Sequence, residues 1–143
     1  MLDEYPETLI SVEWHSPSFT PGNSDFDISE YGTRANLYGV GGIPHTQWGG
    51  EYETVGGYAN GNWEEMIGTF EDLYNALIGD ETPYEISING YAGTTVTYDV
   101  TISMDADFSN ANQKINVFVV EDNIWSYWQG ASDYHNARNV ARL

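Results

Sequence analysis

The hydrophobic period of this chain changes near Gly79, and that change bounds the folds open to it. Upstream, Trp63, Met66, Ile67, Phe70, Leu73, Tyr74, Leu77 and Ile78 recur about every 3.6 residues, the spacing that lines one face of a helix over residues 63–78. Asn62 stands at the N-cap position with Glu65 three residues on, a capping box, and Glu64, Glu65, Glu71 and Asp72 are left for the exposed face. Downstream of Gly79-Asp80-Glu81-Thr82-Pro83, residues 84–89, 94–104 and 114–121 alternate in steps of two. Asn89-Gly90 and residues 105–113 supply the turns between them, so the spacing predicts an antiparallel β meander, as in half of a sandwich. A long amphipathic helix followed by alternating strands defines an α+β chain, read as modules over 1–80 and 81–143.

Shorter elements precede the helix. Residues 8–14 (TLISVEW) are β-branched and apolar between Pro6 and Pro17, and predict a strand. Phe26, Ile28, Tyr31, Ala35 and Tyr38 space a helix over 24–38, with Asp25 and Asp27 in its first turn and Gly39 closing it. Two β-like runs flank Gly49-Gly50, the form of a hairpin with a tight turn.

Charge narrows the partners. The 143 residues hold 22 Asp+Glu against 4 Lys+Arg, a net charge of −18, yet 15% are aromatic, so the acidity decorates a folded chain. Such a surface repels phosphate backbones and anionic lipid, which excludes nucleic acid and leaves cations, sugars and proteins. The chain has no cysteine, which removes disulfides, thiolate nucleophiles and Cys-type zinc sites. No stretch approaches the ~18 apolar residues of a membrane span, and residues 1–7 carry no signal-peptide pattern.

Local sequences add a resemblance. Glu13-Trp14-His15, the run 38–45 (YGVGGIPH), Val55-Gly56-Gly57, Val120-Glu121-Asp122-Asn123-Ile124, Trp128-Gln129-Gly130 and His135-Asn136-Ala137-Arg138 together resemble the Omp28-related, thioredoxin-like secreted proteins of Bacteroidetes-type marine bacteria. The resemblance implies an incomplete thioredoxin-like unit (strand, helix, cis Ile43-Pro44, hairpin, helix) followed by the antiparallel sheet. It implies an extracellular, periplasmic or outer-membrane-associated setting. Redox members of that family carry a Cys-x-x-Cys pair between the first strand and first helix, upstream of the segment matched by residues 9–14. This chain is therefore expected to be a partial one that lacks that strand and any such pair. Because that strand is central in the family's sheet, its loss implies open edges and a homodimer or strand-exchanged assembly.

Candidate sites follow from residue chemistry. Ile43 and Pro44 would shape the approach to a strand, and in the family present backbone to an extended peptide. His15 and His45, with Glu13, His135 and Asp133, have zinc-type ligand chemistry but no close spacing such as HxxxH. Asp105 and Asp107 open like a calcium loop but lack the Gly and Glu that an EF-hand needs, Asn110 and Asn116 standing there, which leaves loose calcium as the one cofactor to consider, there or at Asp25 and Asp27. Glu51/Glu53 and Glu64/Glu65 would suit glycosidase chemistry only if two carboxylates faced each other across a cleft. Trp125, Tyr127 and Trp128 form an aromatic cluster that either caps a core or offers a platform to sugars or protein. No phosphate loop, dinucleotide fingerprint or nucleophile elbow is present. The reading is a non-catalytic binding or assembly module, with two alternatives: a fragment of a thiol-disulfide oxidoreductase and a carbohydrate-binding β module.

Overall fold

The computed structural model describes residues 1–18, 26, 28–57, 63–91, 93–107, 112–127 and 134–142. It is an α+β chain, with two helices and small antiparallel sheets among the described residues, divided into two units. One comprises Met1–Ile78 with Asn116–Leu143, and the other is Gly79–Ile115. The larger unit is thus discontinuous, whereas the expected modules were 1–80 and 81–143.

In the larger unit the order is α1 (Tyr31–Leu37), β1 (His45–Trp48), β2 (Tyr52–Val55), α2 (Trp63–Leu77), β5 (Val120–Glu121), β6 (Ile124–Ser126), β7 (His135–Ala137) and β8 (Val140–Ala141). The smaller unit holds β3 (Tyr84–Tyr91) and β4 (Thr97–Met104). No helix among the described residues is long and apolar enough to cross a membrane.

The expected helix over 63–78 is α2, with Glu64 and Glu65 in its first turn. Glu71 is half-buried rather than exposed. The capping residue Asn62 lies outside the described residues. The apolar stripe of α2 meets the β1–β2 hairpin, where Trp48 and Phe70 place their rings 5.2 Å apart. Beyond it, Tyr5 stacks on Tyr74 at 4.3 Å and the Thr8 hydroxyl hydrogen-bonds the Tyr74 hydroxyl at 2.6 Å. The hairpin turns through Gly49 and Gly50, at φ +56° and +81°, a left-handed backbone that glycine adopts without steric penalty.

Residues 120–126 and 135–141 form one hairpin in a single register, interrupted midway. Val120 pairs with Ala141 and Glu121 with Val140, then Ile124 with Ala137, Trp125 with Asn136 and Ser126 with His135. The interruption falls at Asn123 and Asn139, whose left-handed φ of 59° and 53° kink both strands; asparagine tolerates that conformation better than most residues. The kink turns Val140 and Ala137 toward a shared core with Phe26, and Ile124 packs against it.

Three expectations are corrected. Residues 8–14 form no strand: Glu13 alone bridges Val140, in parallel, with its N–H donating to Asn139 O and its carbonyl accepting from Ala141 N, both at 2.9 Å. The rest of that segment joins no ladder among the described residues, and Thr8 and Leu9 instead turn back through their N–H groups onto the Tyr5 carbonyl at 3.2 and 2.9 Å. The helix expected over 24–38 begins only at Tyr31, with Glu30 at the N-cap position making no capping hydrogen bond through its side chain. Phe26 and Ile28 are buried instead of lining a helix, Phe26 lying in the core with its ring stacked on His15. The three-strand meander is a two-strand hairpin, because Val120 and Glu121 pair with β8 and residues 114–119 join no ladder.

Candidate aromatic site

Alternation along β6 and β7 sorts their side chains into two faces. Ser126 and Ala137 are buried and Ile124 packs on the core, which leaves Trp125 and its partner Asn136 pointing away. Tyr127 follows Trp125 by two residues, and Tyr134 stands one step beyond the Ser126–His135 pair on the opposite strand. Trp125, Tyr127 and Tyr134 are 64%, 49% and 53% exposed. The Tyr134 ring lies 6.2 Å from Trp125 with planes only 19° apart, and 6.0 Å from Tyr127 at 50°.

Three rings and a carboxamide on one exposed face make a surface with a defined chemistry. Ring faces accept C–H groups and other rings, and the Asn136 amide both donates and accepts hydrogen bonds. Such an arrangement is equipped to hold a ligand that offers an apolar face beside hydrogen-bonding groups.

Of the cluster expected from sequence, Trp125 and Tyr127 lie on this face, and Trp128 lies outside the described residues. Tyr134 and Asn136 belong to the face but escaped sequence reasoning, because only the β6–β7 register brings them across from Trp125 and Tyr127. The signal available was the HNA run after a turn, which alternates too briefly to assign a face.

The other candidates stand apart. Ile43-Pro44 is cis and precedes β1, with the Pro44 carbonyl accepting from Gly56 N at 2.7 Å. His15 stacks on Phe26 with ring centres 4.0 Å apart, and its Nε2 lies 3.5 Å from Glu13. The His45 side chain is 5% exposed, neither ring nitrogen has a hydrogen-bond partner among the described residues, and a Glu53 carboxylate oxygen lies 3.7 Å from Nε2. His135 is exposed on β7, and Asp133 lies outside the described residues. Asp105 and Asp107 are exposed after β4. Among the described residues no three His, Asp or Glu side chains converge on a metal position. Glu51, Glu53, Glu64 and Glu65 are exposed. Among the described residues, the cleft between β2 and α2 is lined by Thr54, Val55, Gly56, Gly57, Met66, Thr69 and Phe70.

No family model, curated protein or solved structure matches this chain.

Proposed function

We propose that this chain is a non-catalytic extracellular or cell-surface binding module that takes neutral oligosaccharide on the face formed by Trp125, Tyr127, Tyr134 and Asn136. The observation that carries the reading is the exposure of three neighbouring rings on the outward face of a hairpin whose other face buries Ser126 and Ala137. A pyranose offers an apolar C–H face to such rings and hydroxyls to the Asn136 amide. The net charge of −18 favours an uncharged ligand over an anionic one. The setting rests on the likeness of the local sequences to Omp28-related, thioredoxin-like proteins. The order of Ile43-Pro44, hairpin and α2 is compatible with that likeness.

Titration of the intact chain with a panel of neutral oligosaccharides, read by tryptophan fluorescence and calorimetry, tests it. A saturable signal that Trp125→Ala and Tyr134→Ala each weaken tenfold or more, and that Tyr91→Ala leaves alone, is expected. No saturable signal across the panel, or binding untouched by Trp125→Ala, overturns it.

A further inference from the structure

The β3–β4 hairpin is apolar on one face and polar on the other along its whole length. The register pairs Tyr84 with Met104, Ile86 with Ile102, Ile88 with Val100 and Gly90 with Tyr98, and every charged or hydroxyl-bearing side chain of the strands except the two tyrosines falls on the alternate face. Ile86, Ile88 and Tyr98 on the apolar face are 61%, 63% and 60% exposed. Tyr98 lies across Gly90 so closely that a Cβ there would sit 2.9 Å from its ring. On this face Ile86, Ile88, Tyr98, Val100 and Met104 are exposed, with no second layer upon them among the described residues, which is at odds with what a hairpin requires. Two strands alone are at best marginally stable in water, and gain stability when their apolar face is covered.

We propose that the cover is the same face of a second copy, two β3–β4 hairpins packing into a four-stranded, two-layer sandwich about a two-fold axis. Three considerations select a second copy. The face is about 27 Å long at ordinary strand rise, and its side chains offer roughly 500–700 Å² per copy, which puts a pair near the ~1,200 Å² at which specific interfaces begin. Its charges are absent: Glu85 and Asp99 belong to the opposite side of the hairpin, so two chains of net charge −18 can meet here without bringing carboxylates together. A basic partner would find no counter-charge on it, whereas an isologous contact needs only that the face complement itself. This inference stands independently of the aromatic surface on β6–β7.

The arrangement has a signature in salt. Association between two acidic chains through uncharged faces tightens as salt screens their mutual repulsion, opposite to the capture of a basic partner.

Sedimentation equilibrium of the full chain tests the proposal, with a dimer expected at tens of micromolar, tightening severalfold between about 0.05 M and about 0.5 M salt. Ile88→Lys is expected to give monomer and Ser87→Lys, on the polar face, to remain dimeric. Because Ile88→Lys can also unfold the hairpin, a second measurement uses the absence of native cysteine. Under oxidation Ile88→Cys is expected to form disulfide-linked dimer much faster than Ser87→Cys. A wild-type monomer at about 100 µM in high salt, which is the outcome if the chain covers its own hairpin, overturns the proposal. So do equal cross-linking at the two positions and association that Ile88→Lys does not weaken.

Discussion

The guanidinium carbon of Arg34 lies 4.6 Å from the centre of the Phe118 ring. Trp14 and Tyr38 present their rings to the same cation at 5.6 Å, and Trp14 meets Phe118 edge-on at 6.0 Å. Nη2 also donates to Asn116 Oδ1 at 3.3 Å. One arginine on a seven-residue helix thus fastens α1 to two segments remote in sequence.

Arg34→Ala is expected to lower the stability of the larger unit by about 1–2 kcal/mol, the range for a partly desolvated cation–π contact. Arg34→Lys keeps the charge but loses the flat guanidinium that stacks on rings, and should fall between wild type and alanine. Urea unfolding followed by tryptophan fluorescence distinguishes these. A lysine variant as stable as wild type would mean that charge alone matters at this position.

The two turn glycines of the β1–β2 hairpin should respond differently to a methyl group. Both have left-handed backbone, for which an alanine costs about 1 kcal/mol or somewhat more. At Gly50 the new Cβ meets open space, whereas at Gly49 it lies 3.2 Å from both terminal methyls of Leu77. Gly49→Ala is therefore expected to destabilise more than Gly50→Ala. Adding Leu77→Ala should be less than additive with Gly49→Ala and additive with Gly50→Ala, as a thermal double-mutant cycle would read out.

Moderate salt should raise the melting temperature. The ion pairs of Arg138 with Asp3 at 3.0 Å and Arg142 with Glu121 at 2.8 Å lie where solvent and salt screen them and contribute little. Repulsion within a chain of net charge −18 is the larger effect, and screening relieves it. Calorimetry between about 0.02 M and about 0.2 M sodium chloride checks the sign. In pH, the Arg138 guanidinium is held above its ordinary value, first by its hydrogen bond to Asp3 and then by that carboxylate's charge. A raised folded-state value means that the guanidinium's contribution is complete below its unfolded-state value and is lost only as pH rises through the raised one. An alkaline scan to about pH 11 should leave this contribution in place.

Trp125→Ala should leave stability within about 0.5 kcal/mol of wild type, because the side chain is mostly in water. Phe26→Ala, which removes a fully buried ring from the cluster with Ala137 and Val140, should cost about 3–5 kcal/mol. Chemical denaturation of the pair separates the outward face of the hairpin from its core.

How far the sequence could be read depended on the distance over which each element is decided. The helix α2 and the β1–β2 hairpin were legible because a periodic stripe and a Gly-Gly turn are local. The strands β3 and β4 were legible for the same reason. Their supposed third partner was not, since Val120 and Glu121 have strand-like sequence on either account and only the position of Val140 and Ala141 decides which ladder they join. The aromatic face was half legible: Trp125 and Tyr127 are near neighbours in sequence, while Tyr134 and Asn136 need the register of the returning strand. Arg34 gave no signal, because nothing in the spacing of Trp14, Arg34 and Phe118 announces that they meet.

The Asn139 amide donates to the Ser11 hydroxyl at 3.0 Å across 128 positions of chain. Glu13 and Val140 repeat that junction in the backbone beside it. At ordinary rates of translation, roughly 6–25 s separate the appearance of its two sides. Over that interval Phe26 waits on the ribosome without Val140 or Ala137, an apolar ring in search of any surface. The contact between Ser11 and Asn139 therefore closes a long loop of chain late in synthesis, when one short strand reaches a segment made long before it.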